Sequence, residues 1–391
     1  MSGMTVLVTG TSRFLGSALA GRLAAHPDVD RVIGVDTAMP EPLARTRMGE
    51  AEFARVDIRN PVIHKVLEAA GVDTVVHASA SSTPTGSAAR SMAKEMNVLG
   101  TIQLLAACQR SECVRNLIVR STSAVYGGSS RDPAIATEGA SALEVPPTGL
   151  ARDAIDIEGY VRAFGRRRPD VRIAVPRFCE IIGPTVRTPL TTYFSMTPFV
   201  PVSAGRDARM QLVHEQDAVA LLEHLVLGEF AGIVNVAGDG ALTITQAIHR
   251  AGRIPLPVPS PALTGVSRLL GMLRIAIFSA EQVQLLAAGR VLDTRRLRDE
   301  VGFTPPFSTT AAFDDFVERL TPAVHAESVA MAESGVARVL RLRRNLPATG
   351  ATARPDLDGA AYPAAARPRL VSIPGGGTGR ARPSRASGPS R

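Results

Sequence analysis

A chain of 391 residues, 45% of them apolar, can bury a large core and is not a small module that needs covalent staples. Three cysteines, Cys108, Cys113 and Cys179, show no metal-ligand spacing, and their odd number argues against a disulfide framework, so they read as buried small residues. The net charge of +8 would ordinarily raise nucleic acid as a partner, but residues 341–391 carry ten arginines and two acids and account for all of it.

The rest of the chain is therefore neutral, and no nucleic-acid partner is expected. A strand begins almost at the first residue, leaving no room for a signal peptide, and no apolar run of about 18 residues occurs. A soluble, cytoplasmic protein is the expectation.

In chain order, the apolar stretch 5–8 runs into Thr9-Gly10-Thr11-Ser12-Arg13-Phe14-Leu15-Gly16 and then into a predicted helix. A buried strand feeding a glycine turn points the backbone N–H groups of the helix start at whatever lies above, and the helix dipole favours an anion there. Gly10 permits the tight turn, and Gly16 permits close packing of the helix. Asp36 closes the next apolar stretch, 31–35, twenty residues after Gly16. A dinucleotide-binding fold places there the carboxylate that accepts from the adenine-ribose hydroxyls. Strand, turn, helix and acid in this register predict a bound dinucleotide; a structural turn with an unrelated acid is the alternative. NAD is expected rather than NADP, because Asp36 would meet a 2′-phosphate as a like charge. Arg13 stands where the fingerprint has its middle glycine, and either pushes the pyrophosphate away or pairs with it.

Strands are predicted at 52–58, 73–77, 116–121 and 171–177, alternating with helices at 61–70, 87–110 and 150–164. Such alternation means an α/β fold, a parallel sheet with helices on both faces. Asp57 ends the third strand where an adenine-contacting acid would lie, with a solvated loop acid as the alternative. Ile58 and Ala78 join Gly10, Arg13, Phe14, Leu15, Gly16 and Asp36 as candidate cofactor contacts. The run Arg166-Arg167-Arg168-Pro169-Asp170 reads as a solvated corner.

Several segments in order carry a resemblance: VLVTGTSRFLG, Asp36, VVHASA, NVLGTIQLL, STSAVYGG, PRFCEIIGP, VHEQDA, VNVAGDG and LDTRRLRDEVGF. Together they resemble the extended short-chain dehydrogenase/reductases, and within these the NAD-dependent epimerase/dehydratase group that includes UDP-glucose epimerase. The resemblance covers about residues 4–318. It implies a Rossmann doubly wound parallel sheet with a smaller, interleaved C-terminal substrate lobe, NAD as cofactor, a nucleotide-sugar-like ligand and a homodimer. The corresponding division is 1–178 for the NAD-binding domain and 179–320 mostly for the lobe.

In that family a Ser or Thr orients the sugar hydroxyl, a Tyr removes its proton, and a Lys four residues on lowers the Tyr pKa and holds the nicotinamide ribose. Thr122 matches the orienting residue. The Tyr and Lys are missing from the stretch 147–158. Anchoring on Glu158, a frequent family position, puts Leu150 in the Tyr place and Ala154 in the Lys place; anchoring on Pro147 offers Thr148 and Arg152 instead. Neither register supplies a phenol, and an aliphatic alcohol cannot be brought near working pH by a neighbouring cation as a phenol can. Tyr126 is the one phenol near Thr122 in sequence, although the family pattern gives it a supporting role at the strand end.

On the substrate side the resemblance places Glu180 where the family has an Asn that reaches toward the sugar-nucleotide phosphate, and an acid there would repel a diphosphate. The family's phosphate-pairing Arg falls on Met210, with Arg209 one place early and pointing elsewhere if the strand is regular. His214 is expected to be structural. The stretch 254–259, Ile-Pro-Leu-Pro-Val-Pro, reads as an extended spacer, and 263–288 as a core or partner-facing helix. A basic helix is expected at 321–345 and a disordered Arg/Pro/Gly-rich tail at 346–391, whose alternative role is contact with an anionic membrane surface. Two readings stay open. One is a dinucleotide-binding sensor or scaffold that has lost Tyr/Lys catalysis; the other is an NAD-dependent nucleotide-sugar epimerase, dehydratase or oxidoreductase that uses a substitute base.

Overall fold

A computed structural model describes residues 3–78, 87–127, 132–143, 149–259, 286 and 288–320, with only the backbone for 87–90. All of these belong to one compact unit. Thr148, most of the 263–288 stretch, the basic helix and the tail lie outside the described residues.

The first half of the chain alternates strand and helix as the pattern predicts. The elements are β1 (Met4–Thr9), α1 (Phe14–Ala24), β2 (Val29–Asp36), α2 (Pro42–Met48), β3 (Glu52–Arg55), α3 (Val62–Ala69), β4 (Thr74–His77), α4 (Ser87–Lys94), α5 (Gly100–Arg110), β5 (Asn116–Val119), β6 (Ser121–Thr122), α6 (Leu150–Arg167) and β7 (Arg172–Phe178). The second half contains β8 (Glu180–Ile182), α7 (Pro189–Phe194), β9 (Phe199–Ser203), β10 (Arg209–Met210), β11 (Leu212–His214), α8 (Glu215–Leu227), β12 (Gly232–Val236), β13 (Leu242–Thr243), α9 (Ile244–Arg250), β14 (Ile254–Val258), α10 (Arg295–Asp299) and α11 (Thr309–Glu318).

The main sheet runs β3-β2-β1-β4-β5-β7-β12, with β6 continuing the line of β5 against β7. Its pairings are all parallel. Side-chain alternation along β1 divides the core: Val6 and Val8 join α1 and α8 on one face, while Leu7 joins α3, α5 and α6 on the other. A separate cluster, with Tyr193, Phe194, Met210 and Phe313 among its members, forms the core of the lobe. Because β12 returns to the main sheet from within the second half, the lobe is interleaved with it. The strand order reverses at β1, and ligands bind such sheets at the carboxyl ends beside the reversal.

Several local expectations change. The 87–110 helix is interrupted by a π turn at Glu95–Leu99, between α4 and α5. Arg168 is not a solvated corner. Its side chain is 14% exposed, pairs with Asp170, and donates to the carbonyls of Cys108, Ser111 and Val114, satisfying groups that the end of α5 would leave open. The Pro-rich 254–259 stretch forms β14 on parallel partner β9. Its prolines tolerate this because Pro255 and Pro257 alternate with Ile254, Leu256 and Val258, and residues of one parity carry the ladder on one side. Cys113 is exposed, whereas Cys108 and Cys179 are buried.

Candidate functional site

The crevice begins at the turn after β1. Gly10 has φ of 77°, the left-handed region that favours glycine, and a Cβ on Gly16 would lie 2.4 Å from the Gly10 carbonyl oxygen. Gly16 thus lets the start of α1 close on its own turn. Arg13 is the N-cap of α1, in extended backbone, and the first helical turn carries no acid. An eleven-residue helix with this start fits a pyrophosphate. Asp36 ends β2 beside the same turn, where its Oδ2 accepts from the Ser12 amide at 3.0 Å and hydroxyl at 2.5 Å. Its Oδ1 accepts from the Thr37 amide at 2.7 Å. These bonds orient the carboxylate, which has about four acceptor positions in all.

Asp57 is differently employed. Arg59 donates to it from its amide and its guanidinium, with Nη2 at 2.7 Å from Oδ2, and this pairing holds the carboxyl below its usual range. Ile58 is buried against Gly100 of α5.

A cavity of about 680 Å³ opens beyond the turn. Arg13, Phe14, Leu15 and Ala78 line it; Gly10, Gly16, Asp36, Asp57 and Ile58 do not. Near Arg13 the outer wall includes Arg47, whose guanidinium lies 4.8 Å from the Phe14 ring centre. The loop after β8, from Thr185 to Pro189, adds Arg187, and Glu215 holds that loop by accepting from the Thr185 and Val186 amides.

Three residues of α6 form the inner wall. Leu150, Ala154 and Ile157 of α6 all line the cavity, spaced as one helical face. Arg152 lies off that face, 45% exposed, with its guanidinium on Asp156 at 3.1 Å. One turn on, Glu158 is buried against Arg177, with side chains 4% and 7% exposed and the ions 2.6 Å apart. Ser121 also donates to Glu158. This pair pins α6 to β6 and β7 behind the cavity-lining Leu150 and Ala154.

Thr122 lines the cavity and caps the following 3-10 turn, Ser123–Tyr126, accepting from the Ala124 amide at 3.3 Å. Tyr126 does not line it. Its hydroxyl donates to Asn235 at 2.6 Å and accepts from Arg177 at 2.8 Å, inside the core, and burial raises its pKa despite Arg177. The ring supports the strand end. His214 is likewise structural, stacked on Phe307 and 2.9 Å from Asp315.

Glu180 lines the inner cavity, at the start of β8. Burial raises its pKa, and the guanidinium charges of Arg290 and Arg120 oppose that rise. Their presence offsets the repulsion of a diphosphate expected from an isolated acid. Met210 is buried in the lobe core, and Arg209 is exposed one place before it on β10. Neither lines the cavity. Arg290, bridged to the strand of Met210 and donating to Ser123 at 3.2 Å and to the Gly127 carbonyl, brings a cation to the cavity instead.

Arg120, Arg290, Arg47, Arg187 and Asn97 all line the site and were not legible as site residues. Arg120 had a signal, a charge at the carboxyl end of an otherwise apolar parallel strand. Asn97 also had one, inside the NVLGT segment; it sits in the π turn and donates to the buried Asp153 at 3.1 Å. Arg290 had none, because the fold brings it from far along the chain.

The fold and crevice define a doubly wound protein of dinucleotide-binding type. Residues 6–228 match the NAD dependent epimerase/dehydratase family, more than half of the chain, and the chain belongs to that family. A Mycobacterium tuberculosis protein described as uncharacterized is 45% identical over 350 residues, 88% of this chain and 93% of its own length. Among solved structures, a UDP-glucose 4-epimerase from Thermotoga maritima with UDP-glucose superposes with a TM-score of 0.64 at 18% identity, covering 81% of this chain and 98% of that one. A UDP-glucuronic acid 4-epimerase from Bacillus cereus in complex with NAD gives 0.60 at 19%, covering 81% and 99%. At these identities the structural likenesses establish the fold.

Proposed function

We propose that the chain binds NAD at the β1 turn, with a nucleotide-sugar-like ligand in the cavity, and that the family's Tyr/Lys proton transfer is absent from it. Gly10, the amides at the start of α1 and Ala78 would hold the dinucleotide, with Asp36 toward its adenine ribose; NAD supplies a hydride acceptor when bound. One observation carries the second part: Leu150 and Ala154 line the cavity on the face of α6 that Glu158 and Arg177 pin. A hydrocarbon there neither accepts a proton nor stabilises an oxyanion. In this reading the protein is a dinucleotide-binding sensor or scaffold, cytoplasmic and homodimeric, with its basic tail as the site of contact with anionic membrane.

Calorimetric titration with both dinucleotides tests it: NAD binds more tightly than NADP, and the reverse order removes Asp36 from its role. A Leu150→Tyr/Ala154→Lys double variant gains activity with UDP-glucose if the missing pair is the only defect. Robust epimerisation by the unmodified protein, lost in Tyr126→Phe, would sink the reading. The alternative, an active NAD-dependent enzyme using a substitute base, is favoured by Thr122 and Glu180 facing one cavity.

A further inference from the structure

The inner cavity supplies acid–base groups that the family mechanism does not use. Among the described lining residues, the groups other than arginine that can titrate are Glu41, Cys179 and Glu180. Glu41 is exposed at the start of α2. Burial holds the Cys179 thiol well above its usual range. Glu180 remains, in the same wall system as Thr122: β6 pairs with β7 so that Thr122 lies opposite Phe178, and Glu180 follows two residues later in the same chain direction. The charged and titratable groups around it are Arg120 from the end of β5, Arg290 and Cys179, with Arg13 acting in turn on Arg120.

We propose that Glu180 takes the proton of an alcohol held by Thr122, with Arg120 as the positioning cation that Ala154 does not provide. The inference rests on dinucleotide binding at the β1 turn and develops the enzyme reading. The substrate O–H bond breaks and its proton passes to a Glu180 carboxylate oxygen. The electron pair left on oxygen would form the carbonyl, and a bound nicotinamide dinucleotide would supply the oxidant that takes the hydride of the same carbon. A phenol starts near 10 and is lowered by a cation, whereas a carboxyl starts near 4.3 and is raised by burial. Burial raises the Glu180 carboxyl, and Arg290, fixed by Gly127 and Ser123, and Arg120 oppose that rise.

The test uses the full chain. Calorimetry first measures NAD affinity for the unmodified protein and Glu180→Gln, and values agreeing within about twofold show that the dinucleotide site is intact; absence of NAD binding overturns this inference together with the reading beneath it. UDP-glucose and UDP-glucuronic acid are then added as probes, and bound NADH is followed by absorbance across pH. Formation with either probe, slowed at least ~100-fold in Glu180→Gln and partly restored in Glu180→Asp, is the expected result. Carbon-13 NMR of labelled glutamate side chains gives a readout apart from turnover. One carboxyl titrates above the ordinary range, disappears in Glu180→Gln and moves higher in Arg120→Met. Equal rates in Glu180→Gln, no NADH with either probe, or an ordinary Glu180 titration each overturn the assignment. Thermal melting checks that Glu180→Gln folds, and if it does not, Glu180→Asp carries the titration and the rate comparison.

Discussion

The two ends of the crevice are built differently. At the turn after β1 the fold presents backbone, with Gly10 and Gly16 closing the turn and Asp36 oriented beside it. At the inner wall side chains supply the chemistry, and Leu150, Ala154 and Glu180 stand where the family resemblance leads one to expect Tyr, Lys and Asn. A site built from backbone geometry is constrained by the fold itself. One built from side chains depends on which residues the fold presents, here Leu150, Ala154 and Glu180, with the buried Glu158–Arg177 pair behind them.

That contrast can be broken most severely from behind the inner wall. Glu158→Ala leaves Arg177 buried without its partner and is expected to cost about 3–5 kcal/mol in denaturant unfolding. Glu158→Gln, which keeps a hydrogen-bond acceptor, costs less. A loss below about 1 kcal/mol for Glu158→Ala would mean that the pair does not anchor α6.

At the cofactor end, Gly16→Ala forces a methyl against the Gly10 carbonyl, which is backbone and cannot swing aside. An overpacking cost of about 1–3 kcal/mol is expected, together with weaker NAD binding in calorimetry. Unchanged NAD affinity would separate the turn from the cofactor. The smallest effect belongs to Arg152→Ala, which removes an exposed pair with Asp156 away from the cavity. Its stability should stay within about 0.5 kcal/mol and its ligand affinities unchanged. A marked affinity loss would favour the helix register that places Arg152 in the site.

The sequence by itself determined the parallel sheet and the glycine turn with Asp36 beside it, because strand alternation, glycine spacing and the acid's distance are local along the chain. It also established that no Tyr/Lys pair occurs near the start of α6. Only the tertiary structure shows that Leu150 and Ala154 face the cavity while Arg152 pairs with Asp156 away from it, since that depends on which helix face Glu158 locks against Arg177. The same holds for Tyr126, whose phenol is close to Thr122 in sequence but turned into the core by Asn235 and Arg177. Arg168 looked solvated because three consecutive arginines suggest a surface, yet the open carbonyls at the end of α5 claimed it. Glu180 read alone was a repulsive acid. Arg120 and Arg290 converge on it from positions 60 residues before and 110 after, and electrostatics depends on distance through space, which the order of residues does not encode.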